Sequence, residues 1–276
     1  MGRSDSTALS GSTGPSHCIR PGRLFLDTSG RRIQAHGGSI FYEDGTYYLY
    51  GENKELTDGR NGIWHKGVRA YRSHDLYNWE DLGVIIPARP DDPESSLHPT
   101  SQMDRPHIVR CERTGKYVCW VKIMGRDGAQ SMTILQADRL LGPYEVVVER
   151  MQPLGMSSGD FDLAVGADGR AYIYFERVHC ALVCADLTPD YLGVTGAYST
   201  HFAGTHPPLT REAPAHFERG GKHYLITSGT TGYLPNPSQV AVADDWHGPY
   251  RLLGDPHGDP SRTSFHSQVS DRKSVV

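Results

Sequence analysis

Gly45-Thr46-Tyr47-Tyr48-Leu49-Tyr50-Gly51-Glu52 decides the fold, because the chain repeats the same device three more times. A turn glycine followed by an aromatic or β-branched run recurs at Gly115-Lys116-Tyr117-Val118-Cys119-Trp120-Val121-Lys122 and at Gly169-Arg170-Ala171-Tyr172-Ile173-Tyr174-Phe175-Glu176. The last copy is Gly221-Lys222-His223-Tyr224-Leu225-Ile226-Thr227-Ser228. Such residues fit a pleated, half-buried strand. Their return at intervals of about 50 residues or more is the mark of a propeller or solenoid.

Working outward, each copy follows another apolar strand: Gly38 to Tyr42, Pro106 to Cys111, Phe161 to Val165 and Ala213 to Phe217. The joining residues, such as Glu43-Asp44-Gly45 and Arg219-Gly220-Gly221, have hairpin chemistry. A third strand follows at Val68–Ser73, Met132–Asp138, Ala181–Asp186 and Gln239–Asp244, and an edge strand comes after it. Gly142-Pro143-Tyr144 matches Gly248-Pro249-Tyr250 ahead of two of these edges. Four strands per unit describe a propeller blade. Four units are visible, and Cys18 to Ile33 with Ser261 to Val276 are expected to supply a fifth, incomplete at the C-terminus. The expectation is an all-β, five-bladed β-propeller over residues 18–276, behind a disordered Ser/Gly/Thr-rich tail over residues 1–17.

Composition narrows the function. A formal net charge of −4, without Lys or Arg runs, lacks the basic footprint of a nucleic-acid binder. No stretch approaches the roughly 18 apolar residues that span a bilayer, and the N-terminus lacks the apolar core of a secretory signal. Fifteen Tyr and four Trp supply flat faces with polar tips of the kind sugar sites use, although Tyr is also a good strand former. Five cysteines, at 18, 111, 119, 180 and 184, form no CxxC or zinc pattern. Cys180 and Cys184 read as sharing one strand face, too far apart to bridge. The set therefore reads as reduced thiols in a non-exported, cytoplasmic chain. No cofactor, membrane or nucleic acid is expected, and a monomer is.

Seven stretches carry a resemblance to a known family. They are Gln34-Ala35-His36-Gly37-Gly38-Ser39-Ile40, Tyr50-Gly51-Glu52-Asn53-Lys54, Asp104-Arg105-Pro106, Ser158-Gly159-Asp160, Glu212-Ala213-Pro214, Leu225-Ile226-Thr227-Ser228-Gly229 and Ser264-Phe265-His266-Ser267-Gln268. Together they resemble glycoside hydrolase family 43, five-bladed propellers that act on plant cell-wall polysaccharides, and in particular its exo-β-1,3-galactanase-like branch. The resemblance implies inversion at an anomeric carbon by two groups about 6.5–9.5 Å apart, one protonating the leaving oxygen and one activating water.

By motif, Glu212 matches the general acid, and Asp160 matches the carboxylate that orients this acid and raises its pKa through like charge. Most of the family carries an Asp base in the first blade, where this chain has Gly37-Gly38-Ser39-Ile40. In the galactanase-like branch the water-holding role falls to a Gln, matched here by Gln268. A neutral amide positions water but is a poor proton acceptor. The resemblance further implies sugar contacts at Glu52, Asp104, His36, Thr231 and Tyr233, with Asp104 standing where relatives often carry Glu.

Fourteen histidines raise the question of a metal, but no HExxH or clustered spacing supports one, and Asp255-Pro256-His257-Gly258-Asp259 reads as a turn. The leading expectation is an inverting glycosidase acting on the non-reducing end of a galactan-like or other cell-wall polysaccharide. An α-L-arabinofuranosidase or β-xylosidase, or a non-catalytic sugar-binding propeller, would share this fold.

Overall fold

A computed structural model of the chain describes residues 15–20, 23–55, 57–125 and 127–270. The tail expected over residues 1–17 lies mostly outside the described residues. Sixteen strands form four antiparallel sheets of four, each a simple meander. The first blade comprises β1 (His36–Glu43), β2 (Thr46–Glu52), β3 (Val68–Ser73) and β4 (Glu80–Ile86). The second comprises β5 (Gln102–Cys111), β6 (Lys116–Met124), β7 (Gln130–Ala137) and β8 (Glu145–Met151). β9 (Ser158–Val165), β10 (Ala171–Arg177), β11 (Ala181–Leu187) and β12 (Val194–His201) make the third. The fourth is β13 (Arg211–Arg219), β14 (Lys222–Gly229), β15 (Gln239–Ala243) and β16 (Arg251–Gly254). No α-helix occurs among the described residues, so none is long and apolar enough to cross a membrane.

The turn glycines explain the hairpins. In the tightest, Asp44-Gly45 and Gly220-Gly221, both central residues have positive φ, the geometry that matches the twist of the flanking strands. The two Gly-Pro-Tyr stretches also do the same work twice. Tyr144 donates its hydroxyl to Leu140 O at 2.8 Å and Tyr250 donates to Trp246 O at 3.3 Å, pinning each turn four residues back.

The expected fifth blade is corrected: the described residues form four blades. Among the described residues of 18–33 the strand pairing is a single bridge between Leu26 and Arg32, with Leu24 and Phe25 exposed. Residues 261–270 hold a single 3-10 turn, Ser264–His266. Asp259 organises that stretch, its carboxylate accepting the N–H groups of Ser261, Thr263 and Phe265. Neither stretch has the alternating apolar residues that bury a sheet face. The expected incomplete last blade is corrected as well, since the sheet β13–β16 has all four strands. Cys180 is likewise not on a strand. It sits exposed in the turn before β11, while Cys184 is buried within β11.

The core lies between blades rather than within them. Tyr50 and Ile108 pack with Leu135 between the first and second, and Trp120, Phe161 and Phe175 between the second and third. Tyr172, Tyr174 and Leu225 fill the next interface, with Trp246 packed against them. Full burial of such side chains contributes about 1.5–3 kcal/mol each. Their polar tips are also satisfied: the Tyr50 hydroxyl accepts Ile108 N–H at 2.8 Å, and Trp120 Nε1 donates to Tyr191 O at 2.9 Å. At the centre, buried Asp162 accepts His216 N–H at 2.6 Å and lies 3.0 Å from His107 Nδ1, joining three blades.

Candidate active site

Every innermost strand carries a β-bulge near its start, and the bulges build the site. In register, Gly37-Gly38 oppose Gly51, Arg105-Pro106 oppose Val121, Gly159-Asp160 oppose Glu176 and Ala213-Pro214 oppose Thr227. A bulge bends the strand and re-aims the side chains beside it. Pro is tolerated there because the bulged residue has no ladder bond to donate. Arg105 and Ala213 adopt φ of 51° and 48°, a left-handed conformation that non-glycine residues rarely hold.

Around these bulges, Glu212, Asp160 and Gln268 come together. Gln268 Nε2 donates to Glu212 Oε1 at 2.9 Å, and its Oε1 accepts Arg105 Nη2 at 2.7 Å. The same Arg105 nitrogen lies 2.9 Å from Asp160 Oδ2, and Nη1 reaches Val269 O at 3.2 Å. Lys122 Nζ donates to Asp160 Oδ1 at 2.9 Å. Burial pushes Asp160 upward, but Arg105 and Lys122 outweigh it and hold the carboxyl at about 2. Glu212 has no such cation pair. Burial first, then the charges of Asp160 and Glu176, push it up to about 7. The Lys122 ammonium stays charged, because Asp160 and Asp104 more than offset its burial.

Glu52 is completely buried. Its carboxylate lies 2.6 Å from Lys54 Nζ, 3.2 Å from His36 Nδ1 and 3.0 Å from the Arg105 N–H that it accepts. Burial raises its pKa, but His36 and Lys54 lower it further, so the net shift is downward. Gly37 makes room for this group: a Cβ there would sit 2.8 Å from Glu52 Oε1. Asp104 accepts Trp64 Nε1 at 2.9 Å and lies 3.4 Å from Lys122 Nζ, with its pKa raised by burial and by Glu52. The His36 ring is mostly exposed beside Glu52. Thr231 and Tyr233 lie on the loop after β14. Thr231 Oγ1 accepts Asn236 Nδ2 at 2.7 Å, and Tyr233 is 97% exposed. The loop and Gln268 border a shallow pocket of about 170 Å³.

Sequence reasoning missed Arg105, Lys122, Lys54, Trp64, Glu176 and His179. Glu176 is 3% exposed. It accepts His179 N–H at 2.8 Å and lies 3.0 Å from His179 Nδ1. Oxygen and nitrogen atoms of Glu176, His179 and Glu212 lie within 4.8 Å of one another, the grouping among the described residues with the donors to hold a metal ion. A cation there would occupy the Glu212 carboxylate. The signal for Glu176 was present, since it ends the third copy of the repeat as Glu52 ends the first.

Solved structures share this fold. A GH43 β-1,3-galactosidase matches at 30% identity and a TM-score of 0.81, over 92% of this chain and 52% of its own. A second GH43 β-1,3-galactosidase, solved with galactodeoxynojirimycin, matches at 28% identity and a TM-score of 0.81, over 92% of this chain and 86% of its own. An exo-β-1,3-galactanase from Clostridium thermocellum matches at 29% identity and a TM-score of 0.78, over 92% and 54%. The chain thus spans about half the length of two of these three. No curated protein sequence matches it. The family profile for glycosyl hydrolases family 43 matches residues 32–268, and the chain belongs to that family.

Proposed function

We propose that the chain is an inverting glycoside hydrolase that releases galactose from the non-reducing end of β-1,3-linked galactan, with Glu212 as the general acid. The observation that carries this reading is the contrast between two neighbouring carboxyls. Glu212 holds a proton up to about pH 7, while Asp160 is kept ionised by Arg105 and Lys122. A carboxyl that is half protonated near neutrality is matched to protonating a leaving oxygen. The substrate follows from the structural neighbours, which are described as β-1,3-galactosidases and exo-β-1,3-galactanases.

In this reading Asp160 supplies fixed negative charge, and Gln268 positions the attacking water without taking its proton. At 2.9 Å from Glu212 the Gln268 amide leaves no space for a sugar ring between the two, so it swings aside as substrate binds. Asp104, His36, Thr231 and Tyr233 meet sugar hydroxyls and ring faces. Glu52, with no exposed surface, acts from behind by fixing His36, Lys54 and the Arg105 N–H.

The test is to incubate the protein with β-1,3-galactan and with aryl galactosides, arabinosides and xylosides, and to follow the first-formed anomer by NMR. Galactose of inverted configuration is expected, with Glu212→Gln slower on galactan by about 10²–10⁴-fold. Arabinose or xylose as the released sugar, or equal rates for wild type and Glu212→Gln, would overturn it.

A further inference from the structure

We propose that Arg105 is a positioning residue for Gln268: its guanidinium is the fixed point about which the amide swings away from Glu212 to hold the attacking water. The proposal rests on the reading of Gln268 as the water-positioning group. Gln268 has little local structure to hold it. It follows the 3-10 turn Ser264–His266, lies outside any strand and is exposed. An amide on such a stretch needs an anchor in a sheet if it is to present water in one geometry. Arg105 supplies that anchor from the second blade. Its Nη2 donates to Gln268 Oε1 at 2.7 Å and its Nη1 to Val269 O at 3.2 Å, so the fork grips side chain and backbone at once. A guanidinium has only donors, so it also fixes which way the amide faces, oxygen toward Arg105 and Nε2 toward Glu212 Oε1 at 2.9 Å.

Arg105 is itself firmly seated. Its N–H is accepted by the wholly buried Glu52 at 3.0 Å, its Nη2 lies 2.9 Å from Asp160 Oδ2, and its side chain is 11% exposed. The bulge of β5, where Arg105 has a φ of 51°, bends the strand at this residue. The first blade makes room for the stem. A Cβ on Gly37 would lie 3.4 Å from Arg105 Cγ and 3.4 Å from its N, besides crowding Glu52 Oε1 at 2.8 Å. The stretch Gly37-Gly38-Ser39-Ile40 offers no carboxylate, and its lack of a side chain at 37 admits the arginine that reaches Gln268 instead. When a sugar separates Gln268 from Glu212, the Nε2 bond is lost. Both guanidinium bonds can remain, because they engage the oxygen end of the amide and the backbone beyond it. The amide oxygen keeps a second lone pair for a water O–H. Arg105 also neutralises Asp160, and the experiment separates the two roles.

The experiment is a double-mutant cycle read in kcat and KM on a β-1,3-galacto-oligosaccharide, with Arg105→Lys, Gln268→Ala and the double variant, and melting curves to confirm folding. Arg105→Lys keeps a cation beside Asp160 but replaces the planar fork by a single ammonium. Each single variant should lose about 10–10²-fold in kcat, with KM changed much less. The double variant should be no slower than Gln268→Ala alone, because both changes remove one interaction. Losses that multiply, or an Arg105→Lys as fast as wild type, would overturn the proposal, since Arg105 would then act through Asp160 or not at all. An aryl galactoside with a good leaving group needs little protonation but the same water. Arg105→Lys and Gln268→Ala should therefore be slowed on it as on the oligosaccharide, and Glu212→Gln far less. If the Arg105→Lys loss disappears on this substrate, the residue serves the acid and the proposal fails. Arg105→Met, which keeps the stem without a donor, takes the same place in the cycle if Arg105→Lys does not fold. A Gln268→Ala as fast as wild type would sink the reading of Gln268 itself, whereas a slow Gln268→Ala with an additive cycle sinks this inference alone.

Discussion

In the first blade Glu52 lies against Gly37, and in the third Glu176 lies against Gly159; in both, a bulge glycine leaves the space a carboxylate fills. Both glutamates are almost fully buried, and each has a histidine at its side, His36 or His179. Their charges are nevertheless handled in opposite ways. Glu52 gains Lys54 as well as the Arg105 N–H, and His36 and then Lys54 bring its pKa down against burial. Glu176 lacks an equivalent cation, and its pKa rises through burial. Burial alone therefore does not decide what a carboxylate does at a propeller mouth. The counterion does, lowering the pKa in one blade where its absence leaves the pKa raised in the other.

The largest effect that tests this contrast is removal of the counterion. Lys54→Met leaves the Glu52 charge buried without its ammonium, and should cost about 3–5 kcal/mol in urea unfolding at pH 7, the range for breaking one side of a buried pair. The sign with pH follows from the lowered pKa of Glu52. Its contribution is present above the unfolded value near 4.5 and is lost as pH falls through the folded value, so the gap between variant and wild type should close in acid. His179→Asn, the counterpart in the third blade, removes an exposed partner and should cost about 1 kcal/mol or less. Equal losses from the two would erase the distinction between the blades.

The bulges show what was legible in the sequence and what was not. The hairpin copies and their third strands were readable because turn glycines and period-two apolar runs are local signals. The strand starts were read at Gly38, Pro106, Phe161 and Ala213, but the structure starts the same strands at His36, Gln102, Ser158 and Arg211. A bulge interrupts the two-residue period, so a pattern reading begins the strand inside or just past it, and His36, Asp104, Asp160 and Glu212 were reached by resemblance rather than by strand pattern. Pro106 and Pro214 carried the missing signal, since Pro inside a strand points to a bulge or an edge. The number of blades failed for another reason. A fifth was inferred from the remaining length and from resemblance, without four further apolar runs to build it. Arg105 and Lys122 were overlooked because both meet Asp160 in the next blade, and Arg105 also meets Gln268 after the fourth blade, at separations no local motif encodes.

The two glycines offer a subtler test. Gly37→Ala meets Glu52 Oε1 at 2.8 Å and must also hold φ of +55°, so strain and displacement of a paired charge add to about 2–3 kcal/mol. Gly159→Ala has no positive φ to hold and meets mainly the end of the Glu176 side chain, so about 1–2 kcal/mol is expected. Their effects on turnover should rank the other way at pH 7, because Gly159→Ala displaces a carboxylate that lies beside Glu212. Stability and pH–rate curves measured on both variants would expose a ranking that runs the same way in each.

The smallest expected effect is the most direct reading of the fourth blade, because there the chemistry opposes the fold. Glu212 has a raised pKa in the folded protein, so between the unfolded value near 4.5 and the folded value of about 7 the native state holds a proton that the unfolded state has lost. The native state therefore loses stability as pH rises through that window, the reverse of the behaviour of Glu52. Glu212→Gln removes the ionisation and should melt slightly above wild type at pH 8, with the difference shrinking toward pH 4. Glu176→Gln should show the same sign. Melting curves across this range separate the two kinds of buried glutamate without any substrate, since a group held ionised by a cation loses stability when neutralised and a group held protonated by its neighbours gains it. If Glu212→Gln instead melted below wild type at pH 8, the carboxyl would be an anion stabilised in place, and its suitability as an acid would go with it.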